Sequence, residues 1–164
     1  MLLWITTALA ASLIVRLPAV TQGATIPSEY TCKAGDGNGV SPQVAWASAP
    51  AGTQSFAFVV DDPDAPGGTF VHWVVFNIAP KEIGLDRDVR GDDKRVLQGI
   101  NGFGKAAWGG PCPPAGKGAH RYFFRLYALD TLLDLQAGAT REAVDAAMKG
   151  HVLASGTLMG RFEQ

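Results

Sequence analysis

The chain has 164 residues, 47% of them hydrophobic and 18% charged, a composition that suits one globular domain with a real core. Lys and Arg number 14 against 15 Asp and Glu, a net charge of -1. That balance excludes the basic stripe that nucleic-acid binding demands, so any anion must be held by a local pocket.

Residues 1–15 form an uncharged apolar run. It is shorter than the about 20 residues of a membrane-spanning helix, so no stable membrane span is expected. Its length fits a secretory hydrophobic region, but no Lys or Arg precedes it and its cleavage sites, after Ala10 or Gly23, are poor. The rival reading is an apolar first strand over residues 13–20. The chain is therefore divided into an apolar segment, 1–17, and a domain, 18–164. Poor cleavage sites favour the cytoplasm, and a working signal over 1–23 would place the protein in the periplasm or outside the cell.

Residues 25–42 are rich in Gly, Pro, Asn and Asp and read as loop. Residues 44–46 fit a short strand before the Pro50-Ala51-Gly52 turn. Residues 54–61 are aromatic and β-branched, a strong strand signal. It stops at Asp62-Pro63-Asp64-Ala65-Pro66-Gly67-Gly68, where the prolines and glycines forbid regular pairing. Residues 70–78 predict a strand that is apolar on both faces and hence buried on both sides. Strict alternation puts His72 on one face with Val74 and Phe76, and Trp73 on the other.

Residues 81–95 are a mixed charge run and read as a solvated loop, with partner docking as the alternative. Residues 97–119 are a second Gly/Pro-rich stretch, of a length that often serves function. Residues 120–130 predict a strand with His120, Tyr122, Phe124, Leu126 and Ala128 on one face and Arg121 and Arg125 on the other. Residues 140–149 predict a helix capped by Thr140, with Glu142 in its first turn and Gly150 at its end. Residues 151–159 fit a closing strand. Cys32 and Cys112 carry no zinc spacing; they read as small buried thiols, with a disulfide open if the chain is exported.

If these strands pair antiparallel, one rim collects Asp62, Asp64, His72, His120 and Tyr122, with the 108–114 loop overhead. His72 and His120 each begin a mostly apolar face. Burying an imidazole without a partner costs about 1–3 kcal/mol, so each needs a hydrogen bond, and the nearby carboxylates can supply it. A carboxylate-oriented, protonated histidine beside glycine N–H groups would hold a phosphate or carboxylate. Two alternatives use the same residues. Two His and one or two Asp could hold a divalent metal, but no ligand motif accompanies them. Cys112 upstream of His120 superficially suggests a Cys–His pair, but no Gly-x-Ser-x-Gly or other nucleophile context is present.

Five groups of residues carry a resemblance: Asp62-Pro63-Asp64-Ala65-Pro66, His72-Trp73-Val74-Val75, Gly109-Gly110-Pro111-Cys112-Pro113-Pro114, His120-Arg121-Tyr122, and Leu126-Tyr127-Ala128-Leu129-Asp130. With Ile26-Pro27, Tyr30-Thr31-Cys32 and Ser41-Pro42 upstream and Gly150-His151-Val152-Leu153-Ala154 downstream, they resemble the phosphatidylethanolamine-binding proteins, in particular the bacterial Raf-kinase-inhibitor-like branch. The resemblance implies a mainly β fold: a β-sandwich around a large antiparallel sheet, with a C-terminal helix. It implies a pocket for small anions such as phosphate, phosphorylethanolamine head groups or acetate. Carried over to this chain, that pocket is Asp62, His72, Gly110, Pro111, His120 and Tyr122, with Asp64 and Trp108 close by. It also implies cis peptides in the 62–66 loop. Animal members of the family modulate kinases and plant members act as signalling partners.

Three positions depart from the family pattern: an insertion after Cys32, Asn101-Gly102 where Asn-Asp is common, and Trp108 where Tyr is expected. They bear on ligand choice, not on fold. The expectation is a non-enzymatic binding protein with no cofactor and no metal. The alternative is a protein-interaction regulator that inhibits a kinase or protease.

Overall fold

The computed structural model describes residues 12–164. In chain order its strands are β1 (Ile14–Arg16), β2 (Val44–Ala47), β3 (Ser55–Asp62), β4 (Phe70–Ile78) and β5 (Gly84–Leu85). They continue with β6 (Leu97–Gln98), β7 (His120–Leu129) and β8 (Val152–Phe162), and the helix α1 (Arg141–Met148) lies between the last two. A small antiparallel sheet has the order β1-β2-β5, and a large one has the order β6-β4-β3-β7-β8.

The large sheet is covered on both faces, which is why β3 and β4 are apolar throughout. On one face Phe56, Phe58, Val60, Trp73, Val75, Phe124 and Leu126 pack against Val15, Val44, Trp46 and Leu85 of the small sheet. On the other, Ala57, Val74, Phe76 and Leu129 pack against Val144 and Met148 of α1. Thr140 caps the helix as expected, its Oγ1 accepting from the Ala143 N–H at 3.2 Å. The helix is not the last element, because β8 follows it and pairs along most of β7.

Within the 13–20 run, Ile14–Arg16 forms the short strand β1, and Leu17 and Val20 form an isolated bridge. Leu13, Val15, Leu17 and Val20 are buried in the core, so the segment set apart as 1–17 is partly domain. The rest of the signal-peptide reading falls on residues 1–11, outside the described residues. Among the described residues no helix is long and apolar enough to cross a membrane. The 81–95 run is mostly exposed, but Leu85 and Val89 pin it to the core.

Strict alternation fails twice along β4. Val60 pairs with Trp73 and the next residue, Asp61, pairs with Val71, so His72 is an extra residue on β4. This β-bulge turns His72 away from the Val74 face and onto the side shared with Tyr122, a correction to the face predicted by alternation. A second irregularity lies between the Phe56–Ile78 and Phe58–Val75 pairs, where Asn77 adopts φ 53°. There the Asn77 side chain accepts from the Leu133 N–H (2.8 Å) and donates to the Leu133 carbonyl (2.9 Å).

Cys32 and Cys112 form a disulfide, not the separate thiols expected, with their Cα atoms 5.4 Å apart. It ties the 31–39 loop to the loop over the sheet rim. The expected cis peptides are not found: every peptide bond of the described residues is trans. The 62–68 turn closes instead through Asp64 N–H donating to Asp62 Oδ1 at 2.8 Å and Gly68 N–H to the Ala65 carbonyl at 3.1 Å.

Candidate functional site

The end of β3, the start of β7 and the bulge of β4 meet at one rim, as the hairpin argument requires. Asp62 is opposite Phe70 and Asp61 is opposite Phe123, so Asp62, His72, His120 and Tyr122 converge. They line a pocket of about 190 Å³. Phe70, Phe103, Ala65, Pro66 and Cys112-Pro113-Pro114 supply its apolar walls.

The floor is a chain of buried hydrogen bonds. His120 Nδ1 lies 2.8 Å from Asp62 Oδ2, both side chains almost fully buried. The other oxygen of Asp62 accepts from the Asp64 N–H. The carboxylate is thereby spent within the protein, and it fixes the imidazole so that Nε2 is left free. His72 Nδ1 lies 2.7 Å from the Gly109 carbonyl, while the Gly109 N–H donates back to the His72 carbonyl at 2.9 Å. A carbonyl only accepts, so Nδ1 of His72 carries the proton and donates it. Burial holds His72 below the usual histidine range, against weaker opposing pulls from Gly109, Asp62 and Asp61.

Tyr122 is fully buried, and its hydroxyl is the one buried side-chain polar atom among the described residues with no partner. Burial raises its pKa above the ordinary tyrosine value, with the negative charges of Asp62 and Asp64 adding to the shift, so it remains a phenol. Buried polar groups are nearly always satisfied, so an orphan hydroxyl at a pocket calls for a partner from outside the chain, a water or a ligand atom.

Not every predicted site residue lines this pocket. Asp64 is clamped by Arg121 through Nε and Nη2 at 2.9 and 2.7 Å, and it also accepts from the Arg121 N–H. That pairing holds its carboxyl down at about 2, and its part is to fix the 62–68 turn. Trp108 packs between Trp73 and Phe124 and donates from Nε1 to the Tyr30 carbonyl at 3.2 Å. The Pro111 carbonyl accepts from the Cys32 N–H at 3.1 Å. Gly110 donates to Asn38 Oδ1 at 3.1 Å, so closely that a Cβ there would collide with the Asn38 backbone. Trp108 and Gly110 instead line an adjacent cavity of about 550 Å³ that shares Phe103 and Cys112 with the pocket. These residues hold the pocket's frame.

Phe70 and Phe103 were not foreseen as site residues. Phe70 packs on the His72 ring at 5.0 Å between centroids, and Phe103 packs on Phe70 at 4.8 Å. Phe103 is half exposed, and its ring lies so close to Gly109 that a Cβ there would approach to 2.6 Å. The signal in the sequence was a lone aromatic within Asn101-Gly102-Phe103-Gly104. Among the described residues no group of three or more His, Cys, Asp or Glu side chains is placed to hold a metal ion.

A two-sheet β fold with a small polar-floored, apolar-walled pocket at one rim is the architecture of a known family. The family model for phosphatidylethanolamine-binding proteins matches residues 16–163, and the chain belongs to that family. A UPF0098 protein of Methanothermobacter thermautotrophicus is 49% identical over 143 residues, covering 85% of this chain and 91% of its own. Escherichia coli YbcL superposes with a TM-score of 0.85 at 31% identity, covering 94% of this chain and 99% of its own. A phosphatidylethanolamine-binding-protein homologue from Chlamydia trachomatis gives 0.84 at 33% identity, with the same coverage.

Proposed function

We propose that the chain binds small oxyanions, phosphate and phosphorylethanolamine-type head groups among them, in the pocket floored by Asp62, His72, His120 and Tyr122. The observation that carries this reading is the unpartnered, buried Tyr122 hydroxyl beside two histidines whose Nδ1 atoms are already committed. Three polar atoms of the floor are then without a protein partner: Nε2 of each histidine and the phenol oxygen. His120 supplies a hydrogen bond to the anion from Nε2, and Asp62, bonded to Nδ1, orients the ring. The apolar walls of Phe70, Phe103 and Pro113 exclude water and strengthen that bond. The Raf-kinase-inhibitor-like placement within the family rests on the sequence motifs, and a regulatory role would follow from ligand occupancy of this rim.

The reading is one of binding without turnover. Its support is that Cys112, the nucleophile candidate of the sequence, is engaged elsewhere, as are Ser41 and Ser55. Cys112 is in the disulfide, Ser41 Oγ accepts from the Val89 N–H, and Ser55 donates to the Thr131 carbonyl.

The test is titration calorimetry with phosphate and phosphorylethanolamine, wild type beside His120→Ala. A charge-assisted bond contributes about 1.5–3 kcal/mol, so the variant is expected to lose roughly 10- to 100-fold in affinity.

A further inference from the structure

The hydrogen-bond inventory of the pocket says more than that it accepts anions. His72 donates its Nδ1 proton to the Gly109 carbonyl at 2.7 Å, which in the neutral ring leaves Nε2 with a lone pair and no proton. The Gly109 N–H bonds back to the His72 carbonyl at 2.9 Å, which holds the two residues together and keeps the Gly109 carbonyl against Nδ1. Of the floor's polar atoms without a protein partner, Tyr122 Oη can donate or accept, His120 Nε2 donates when protonated and accepts when neutral, and His72 Nε2 accepts. An oxyanion without a proton would set its lone pairs against that of His72.

We infer that the pocket selects tetrahedral oxyanions that keep one O–H, with hydrogen phosphate as the type, over equally charged oxyanions that have none, and that His72 Nε2 is the acceptor that reads the proton. The inference rests on the anion-binding reading above and names the ligand class of that site. One P–O–H donates to His72 while the remaining oxygens accept from His120 and Tyr122, which satisfies every open atom of the floor. Burial of His72 works in the same direction, since it opposes the protonation that would turn the acceptor into a donor. The shared chemistry is a phosphoryl group that retains a hydroxyl. A free phosphate has one, and the phosphodiester of a phospholipid head group does not.

The experiment is calorimetric titration near pH 7.5 with inorganic phosphate, sulfate and dimethyl phosphate. Monohydrogen phosphate and sulfate have the same shape and charge and differ by one proton, and dimethyl phosphate represents the lipid diester. An unmet buried acceptor predicts that phosphate binds at least about tenfold tighter than either competitor. Sulfate or the diester within about threefold of phosphate overturns the proposal while leaving anion binding intact. No binding of any of the three overturns both. In His72→Gln, whose amide can turn to donate or accept, the phosphate preference should collapse to within about threefold, with the melting transition confirming the fold. A preference that survives this change assigns the proton reading to another atom and contradicts the proposal.

Discussion

Asp61 and Asp62 are neighbours on β3, both buried, and they face opposite sides of the sheet. Behind the sheet, Asp61 accepts from Arg125 Nε at 3.1 Å and Arg141 Nη1 at 3.1 Å, and Arg141 continues to Asp145 at 2.8 Å. That network closes on itself and fastens α1 to the sheet. In front, Asp62 is equally satisfied, but the chain it begins runs through His120 and past Tyr122 and ends on atoms with no protein partner. The same residue type in the same strand thus builds structure on one side and the floor of the candidate site on the other. What separates them is whether the polar network terminates inside the protein.

The largest effect should come from unfastening the frame of the pocket side. A Cys32→Ser/Cys112→Ser variant loses the closure of an 80-residue separation, and unfolding by urea should show a loss of about 2–4 kcal/mol. Phosphate affinity should fall with it, because Cys112 lines the pocket. Next, Asp61→Asn strands two guanidinium groups. A fully buried pair broken this way costs about 3–5 kcal/mol, and partial exposure of Arg125 reduces the expectation to about 2–3 kcal/mol. Its phosphate affinity should stay within about twofold of wild type, and a tenfold loss there would erase the contrast between the two faces.

A smaller effect is expected from pH. Burial holds His72 below the usual histidine value near 6.5, so the unfolded chain takes up that proton first as pH falls. The stability contributed by neutral His72 is complete above that value and is lost progressively below it. Without ligand, melting temperature should decline from pH 7 toward about pH 5, and the His72→Gln variant should show a shallower decline.

Much of this was legible in the sequence, and the missing parts have physical reasons. The β-branched and aromatic runs and the Thr140 and Gly150 signals placed β3, β4, β7 and α1 to within a residue or two. Hairpin logic then brought Asp62, His72 and His120 to one rim. Period-two counting could not see the bulge at His72, because an inserted residue leaves composition unchanged and shows only in the register with β3. The Asp61 network joins residues 80 positions apart, and the disulfide spans as many; neither leaves a local pattern. Trp108, Gly110 and Pro111 were placed in the pocket by likeness to relatives, but in this chain their contacts face the 30–39 loop that they support. Phe103 closes the site from a glycine-rich loop whose path no periodicity fixes.

The most direct test of the account removes a single oxygen. Tyr122→Phe deletes the orphan hydroxyl of the pocket floor and nothing else. Unfolding and phosphate titration should be measured on the same preparation, because the two readouts are predicted to move apart. The variant should be as stable as wild type or more stable by up to about 1 kcal/mol, since it no longer buries an unmet polar group. It should also bind phosphate about 5- to 10-fold more weakly, having lost a hydrogen bond to the ligand. A variant that is destabilised and binds phosphate as tightly as wild type would mean that the hydroxyl serves the fold, and the claim that the polar floor ends on a ligand would be wrong.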